Sequence, residues 1–162
     1  MNCECDSLDF DELKLCSLFG GVTEQAFDSI RPLIRVMSFP KGEAIVSEGS
    51  VNDRIYFIHH GAVAITKKTH GQNGDEDRLI TEMHDGETFG EMELIDIQPC
   101  AATARALEDT TTLSLSNHDL YQVSKHDMKT FALIVMNLAR EISRRLRNMD
   151  TLLVDHPESF GA

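Results

Sequence analysis

Positive charge is in short supply. Fifteen lysines and arginines face 27 aspartates and glutamates, a formal balance of −12 over 162 residues. A field of that sign repels phosphates and argues against general binding to nucleic acid or to an anionic membrane surface. Long apolar runs are missing too. Nothing approaches the ~20 consecutive apolar residues that a membrane span needs. The amino terminus, MNCECDSLDFDELK, has neither a basic leader nor an apolar core, and no lipoprotein acylation signature. These absences predict a cytoplasmic location, with Cys3, Cys5, Cys16 and Cys100 held as reduced thiols. No P-loop, Ser-His-Asp set or paired-carboxylate arrangement stands out, so no catalysis is expected. Internal repeats and low-complexity segments are lacking as well.

What is present fits one domain over residues 1–162, with a core large enough to need neither disulfide nor metal. A loosely helical pattern (Leu8, Leu13, Leu15, Leu18) occupies 7–18 and is broken by Gly20-Gly21. Thr23 is placed to cap a second helix, with Val22 and Phe27 at staple spacing, and Arg31-Pro32 should end it. From residue 35 the texture changes to short apolar runs separated by turn residues. Strands are predicted at 36–39, 44–47, 55–59, 62–68, 78–83, 102–107 and 111–115, with a polar tip at 70–77. Glycines 42, 49, 61 and 86 mark turns that need positive φ. Short strands at such even spacing predict a mainly β fold, an antiparallel sandwich or barrel over about 35–116.

Asn117 is expected to cap a short helix to about 124, and Asp127 a long one over about 127–150. The apolar positions Met128, Phe131, Val135, Leu138, Ile142 and Met149 alternate three- and four-residue steps, close to a heptad seam. A homodimer through Phe131, Val135, Leu138 and Ile142 is the resulting expectation. Arg145 falls on the seam. Arg140, Arg144 and Arg147 form a basic stripe read as a solvated face. The tail from His156 is expected to fray.

The most informative stretch is HDGETFGEMELIDIQPCAATARA, residues 84–106. It contains Phe89-Gly90-Glu91-Met92-Glu93-Leu94, where glycine can bare backbone amides at the start of a short helix, and the small-residue run Cys100-Ala101-Ala102-Thr103 after Pro99. Amides bared at a helix start beside small residues describe an anion cradle. The stretch resembles the phosphate-binding cassette of cyclic-nucleotide-binding domains, whose hallmarks are F-G-E-x-A-L and P-R-A-A-T. The resemblance extends through Lys41-Gly42-Glu43, Glu48-Gly49, Asp53, Tyr56-Phe57-Ile58 and Gly61 to cover about 18–146. It implies a double-stranded β-helix (jelly-roll) barrel with N-terminal helices and a long C-terminal helix, similar to the sensor half of catabolite-activator-type regulators. No DNA-reading domain is expected after that helix. As in the family, Glu91 would take the ribose 2′-hydroxyl.

Two positions depart from the family pattern. The phosphate-pairing arginine is replaced by Cys100, a weak donor. The small residue that lets an amide approach the phosphate is replaced by Glu93. Loss of the arginine alone is worth roughly ten- to a hundredfold in affinity. The leading expectation is therefore a non-enzymatic regulatory module with little or no cAMP or cGMP affinity, no cofactor, and a role in dimerisation or docking to an unidentified protein. Two alternatives stand beside it: a working sensor of cAMP, cGMP or another small ligand, and a cysteine-based redox or metal sensor. The C-x-C-x10-C spacing does not match the iron–sulfur regulators of the same superfamily, so no metal is expected. Arg105 is read as a surface or salt-bridge residue, and the adjacent His59 and His60 as strand-end polar groups.

Overall fold

The computed structural model describes residues 16–71, 74–96 and 98–155. Within them, strands β1 (Arg35–Phe39), β2 (Ala44–Val46), β3 (Arg54–His60), β4 (Val63–Gly71), β5 (Gly74–Met83), β6 (Thr88–Phe89), β7 (Thr103–Ala106) and β8 (Thr110–Ser116) build two antiparallel sheets. One has the order β1-β8-β3-β6 and the other β2-β7-β4-β5. This is the antiparallel β fold expected from the spacing of the strands, in the jelly-roll form that the family resemblance implies. Helices α1 (Glu24–Ile30), α2 (Glu91–Asp96), α3 (Asn117–His126) and α4 (Met128–Asp155) flank it.

The run Ile55-Tyr56-Phe57-Ile58 on β3 is apolar at every position because both faces of its sheet are covered. Tyr56 and Ile58 join Val63, Met83, Phe89 and Ala104 between the sheets. Ile55 and Phe57 point the other way and meet Phe27, Ile30, Leu113, Leu120, Ile134 and Leu138 under the helices. Successive residues of a strand face opposite sides, so one strand serves two cores.

The caps follow simple chemistry. Thr23 Oγ1 accepts the Ala26 N–H at 3.3 Å, and Val22 and Phe27 are both buried beside it. Asp127 caps α4 by accepting the Thr130 N–H at 3.0 Å. For α3 the cap is Ser116, not Asn117. Ser116 and Asp119 form a reciprocal capping box, and a serine with an acid three residues on offers both halves of that device where asparagine offers one. Helix α4 runs to Asp155, beyond the predicted end, because no proline or glycine interrupts the sequence before Pro157. β4 and β5 pair to Gly71 and Gly74, lengthening the predicted hairpin. Most of the predicted 7–18 helix and the tail from 156 lie outside the described residues, as do Cys3 and Cys5. At 17–19 the chain forms a single 3-10 turn.

One buried side chain ties the ends of the fold together. Asn137 Nδ2 donates to the carbonyls of Leu18 (3.0 Å) and Gly20 (2.9 Å), anchoring the start of the described chain to α4. Ile134 and Leu138 bury the same face of α4 in the core. Each apolar side chain so buried stabilises the fold by about 1.5–3 kcal/mol. The predicted seam is thus divided. Leu138 is buried, Phe131 packs against the same core, Ile142 is half-buried, and Val135 is 40% exposed.

Candidate functional site

The first limb of the site is β6 followed by α2. Phe89 pairs with Tyr56 in the sheet, and the two rings stack 5.0 Å apart at 11°. The chain must then turn sharply into α2, and Gly90 allows it with φ of +84°. A Cβ at this position would lie 2.5 Å from the Arg54 carbonyl oxygen, so only glycine fits. That carbonyl is held in place by Asn52 Nδ2, which donates to it at 2.6 Å. The Leu94 N–H closes the first turn of α2 on the Gly90 carbonyl at 3.3 Å.

The second limb, Cys100 to Thr103, is pinned to the turn before β3. The Cys100 N–H donates to the Ser50 carbonyl and the Gly49 N–H donates to the Cys100 carbonyl, both at 2.8 Å. The Glu48 N–H donates to Thr103 Oγ1 at 3.0 Å. Cys100 is buried, with its Sγ 3.7 Å from the Ser50 hydroxyl. Burial pushes the thiol above its ordinary range. The Ser50 hydrogen bond opposes this and the charge of Glu93 adds to it.

A carboxylate joins the limbs. Glu93 Oε1 accepts the Ala101 N–H at 3.1 Å. The sequence brought Glu93 near an anion-seeking amide, and the structure puts its own anion on that amide. Met92, between the two acids, is 57% exposed and turned away, while Phe89 belongs to the inter-sheet core.

Glu91, the first residue of α2, is 4% exposed. Arg145 of α4 reaches it: Nη1 donates to Glu91 Oε1 at 2.6 Å, and Nη2 donates to the Thr88 carbonyl. The Arg145 Nε also lies 3.5 Å from Glu141 Oε1. Burial raises the Glu91 carboxyl above the usual carboxylate range, with the Arg145 guanidinium pulling it down and the neighbouring acids Glu93 and Glu141 pushing it up. Glu91 Oε2 is buried with no hydrogen-bond partner among the described residues. The Glu91–Arg145 pair was not read from the sequence, where Arg145 was only the basic residue on an otherwise apolar seam. That misfit was its signal.

The remaining candidates stand apart from the site. Arg105 Nη1 donates to the Gly42 carbonyl at 2.6 Å and steadies a turn. Within the basic stripe, Arg140 donates to Asn137 Oδ1 at 2.7 Å and Arg144 pairs with Glu141. Cys16 lies in the helix-covered core, its thiol pushed up to about 12 by burial. Among the described residues no three His, Cys, Asp or Glu side chains are grouped to hold a metal ion.

A barrel of this topology, with a glycine-turned short helix, a buried glutamate at its start and a small-residue limb facing it, belongs to a known class. The chain is a member of the cyclic nucleotide-binding domain family, whose pattern it matches over residues 36–127. It is 30% identical over 138 residues to the cyclic AMP receptor protein of Thermus thermophilus, covering 85% of this chain and 61% of that protein. The crystal structure of the Thermus thermophilus catabolite activator protein superposes with a TM-score of 0.73 at 29% identity, over 85% of this chain and 61% of that one. A cyclic nucleotide-binding domain from Methylobacillus flagellatus KT gives 0.79 at 22% identity, over 94% and 83%. A third structure is a variant of the regulatory subunit of a cAMP-independent protein kinase A from Trypanosoma brucei, bound to cAMP in its A site (0.66, 17% identity, 80% and 44%). That variant carries a glutamate-to-alanine, a threonine-to-arginine and a valine-to-alanine change. The chain spans about three-fifths of the length of the first curated relatives it matches.

Proposed function

We propose that this chain is a non-enzymatic regulatory module whose cassette has lost ordinary affinity for cAMP and cGMP, and that it acts by dimerisation or by docking to a protein partner. The hydrogen bond from the Ala101 N–H to Glu93 carries this reading. A cyclic phosphate entering the cassette would have to displace a covalently tethered carboxylate from that amide, and would meet like charge as it did so. No arginine at position 100 offsets the cost, because a buried, largely neutral thiol stands there. The trypanosomal regulatory subunit lends support. Its first two changes lie seven positions apart and the third follows directly, the spacing of Glu93, Cys100 and Ala101.

A second copy is the partner that α4 favours. Beyond the core-facing residues, Val135, Ile142, Leu146 and Met149 continue an apolar stripe, with Leu146 and Met149 more than half exposed. A stripe of this kind on a helix that leaves its own barrel is suited to a matching helix.

The test is calorimetry of the wild type, Cys100→Arg, Glu93→Ala and the double variant against cAMP and cGMP. Wild type should show no binding at tens of micromolar. Each single change should help little, because an arginine beside Glu93 pairs with it instead of the ligand. The double variant should bind measurably, with a gain exceeding the sum of the two. Tight binding by wild type would overturn the reading.

A further inference from the structure

We propose that the recess between α2, α3 and α4 is a second binding site, for a small neutral molecule of one or two rings that carries a single hydroxyl or N–H group. The site uses neither Glu93 nor Cys100 and does not depend on what the cassette binds.

Helices α3 and α4 meet at one residue, Asp127, and hydrogen bonds close the joint. The Asp127 N–H donates to the Val123 carbonyl at 2.8 Å, and the Phe131 N–H donates to the Asp127 carbonyl at 3.0 Å. The Thr130 N–H donates to Asp127 Oδ1, also at 3.0 Å. The two helices thus form a V that exists before any ligand arrives, and α2 supplies its third wall. Between them lies a cavity of about 200 Å³. Leu94, Leu120 and Leu138 are buried at its base, while Ile95, Tyr121 and Val135 stand exposed around it. An apolar cavity of about 150 Å³ takes a benzene ring, so this one has room for a substituted ring or a fused pair.

Charge narrows the class further. Among the described residues the lining holds no Asp, Glu, Lys, Arg or His, an uncharged island on a chain of −12. An ion placed there would lose its water and meet no countercharge. Lys125 is engaged elsewhere, its ammonium 4.5 Å over the Tyr121 ring. Two polar side chains remain in the lining. The Ser124 hydroxyl donates to the Tyr121 carbonyl at 2.7 Å and keeps its oxygen as an acceptor. Asn117 makes one long hydrogen bond, 3.4 Å from Nδ2 to the Leu94 carbonyl. A ligand with one donor group can use either acceptor. A concave, preformed, mainly apolar recess with one or two polar groups is the form that small-molecule sites take. Its occupant would touch α2 and α4 together, the same two helices that Arg145 and Glu91 join.

The experiment titrates the full chain with indole and 2-naphthol, and with indole-3-acetate and tryptamine as charged counterparts of similar size, read by methyl NMR and calorimetry. A neutral probe should shift the methyl signals of Leu94, Leu120, Val135 and Leu138 saturably below millimolar concentration. Both charged counterparts should bind at least about tenfold more weakly. Ser124→Phe, which fills the recess from one wall, should weaken the neutral probe by at least about tenfold. If that variant fails to fold, the neutral-against-charged comparison on wild type still decides. The absence of a saturable shift with either neutral probe at millimolar concentration overturns the proposal, and so does equal binding of charged and neutral probes. Shifts centred on Leu146 and Met149 overturn it too, because the probe would then be lying on the exposed stripe of α4. Val135 belongs to both surfaces, so an affinity that falls as the protein is concentrated from tens of micromolar to millimolar would assign the recess to a second copy and overturn the proposal.

Discussion

At the scale of single residues, Arg145 and Gly90 hold the cassette from opposite sides. Arg145 is the one cation paired with Glu91 among the described residues, and its removal leaves a buried carboxylate uncompensated. Breaking a fully buried pair costs about 3–5 kcal/mol. Arg145 is 31% exposed, so Arg145→Met should cost about 2–4 kcal/mol near pH 8. The pH dependence follows from the direction of the Glu91 shift. A carboxyl whose folded value is raised stabilises the fold fully when protonated, below its ordinary range. That contribution is lost as pH rises through the raised value. Without Arg145 the value climbs further and more is lost, so the variant's deficit should shrink toward pH 5. Urea unfolding of both proteins at the two pH values checks it, and a deficit independent of pH would sink the argument. Gly90→Ala should destabilise by at least about 2 kcal/mol, since a left-handed backbone and a 2.5 Å approach to the Arg54 carbonyl act together. Thermal unfolding of that variant gives the answer, and an unchanged melting temperature would mean that the turn can re-form without glycine.

At the scale of elements, α4 has two jobs on neighbouring faces. A heptad reading of Phe131, Val135, Leu138 and Ile142 treats the face as one seam. The barrel takes Leu138 and part of Phe131 for itself, leaving Val135, Leu146 and Met149 outward. Leu138→Glu should therefore unfold the chain instead of separating two folded copies, because it buries an unpaired charge. Leu146→Glu, on the exposed side, should keep the fold and weaken a dimer by tenfold or more in sedimentation. A wild type that is monomeric at tens of micromolar would rule out the helix as a self-association surface. The same element shows what the sequence could and could not tell. Strand positions and the glycine turns were legible because short apolar runs bounded by turn residues and positive-φ glycines are local signals. Ser116 and Asn117 were confused because either can cap alone, and only the reach of Asp119 decides. The Arg145–Glu91 contact spans 54 residues of sequence. No local pattern encodes such a pair, whereas the substitutions at Cys100 and Glu93 were visible at once against the family frame. Their consequence, an internal carboxylate on the Ala101 amide, needed the fold.

At the scale of the whole molecule, charge is the property that sequence alone establishes. With a formal balance of −12, this chain should not retain duplex DNA near physiological ionic strength. Fluorescence anisotropy with a labelled duplex tests this, and submicromolar, salt-dependent binding would contradict it. Among the described residues no helix is long and apolar enough to cross a membrane. The two cores have different neighbours. The inter-sheet core is made of strand residues, whereas the larger one joins sheet, N-terminal helix and α4. Glu91 sits where α4 meets the cassette, so a change at the cassette can be felt along the helix that carries the exposed stripe.

The burial of Cys100 also makes it a clock. Its thiol is shielded and its backbone is stitched to Gly49 and Ser50, so a reagent such as a disulfide dye should reach it mainly when the second limb parts from the turn at 49–50. The rate of modification then counts openings. Subtracting the trace of Cys100→Ser isolates that site from the other three thiols. Any molecule that truly occupies the cassette should slow the difference trace, and one that binds elsewhere should leave it alone. The residue that stands where the family pattern reads arginine can thus report, without any added label, whether the site is shut.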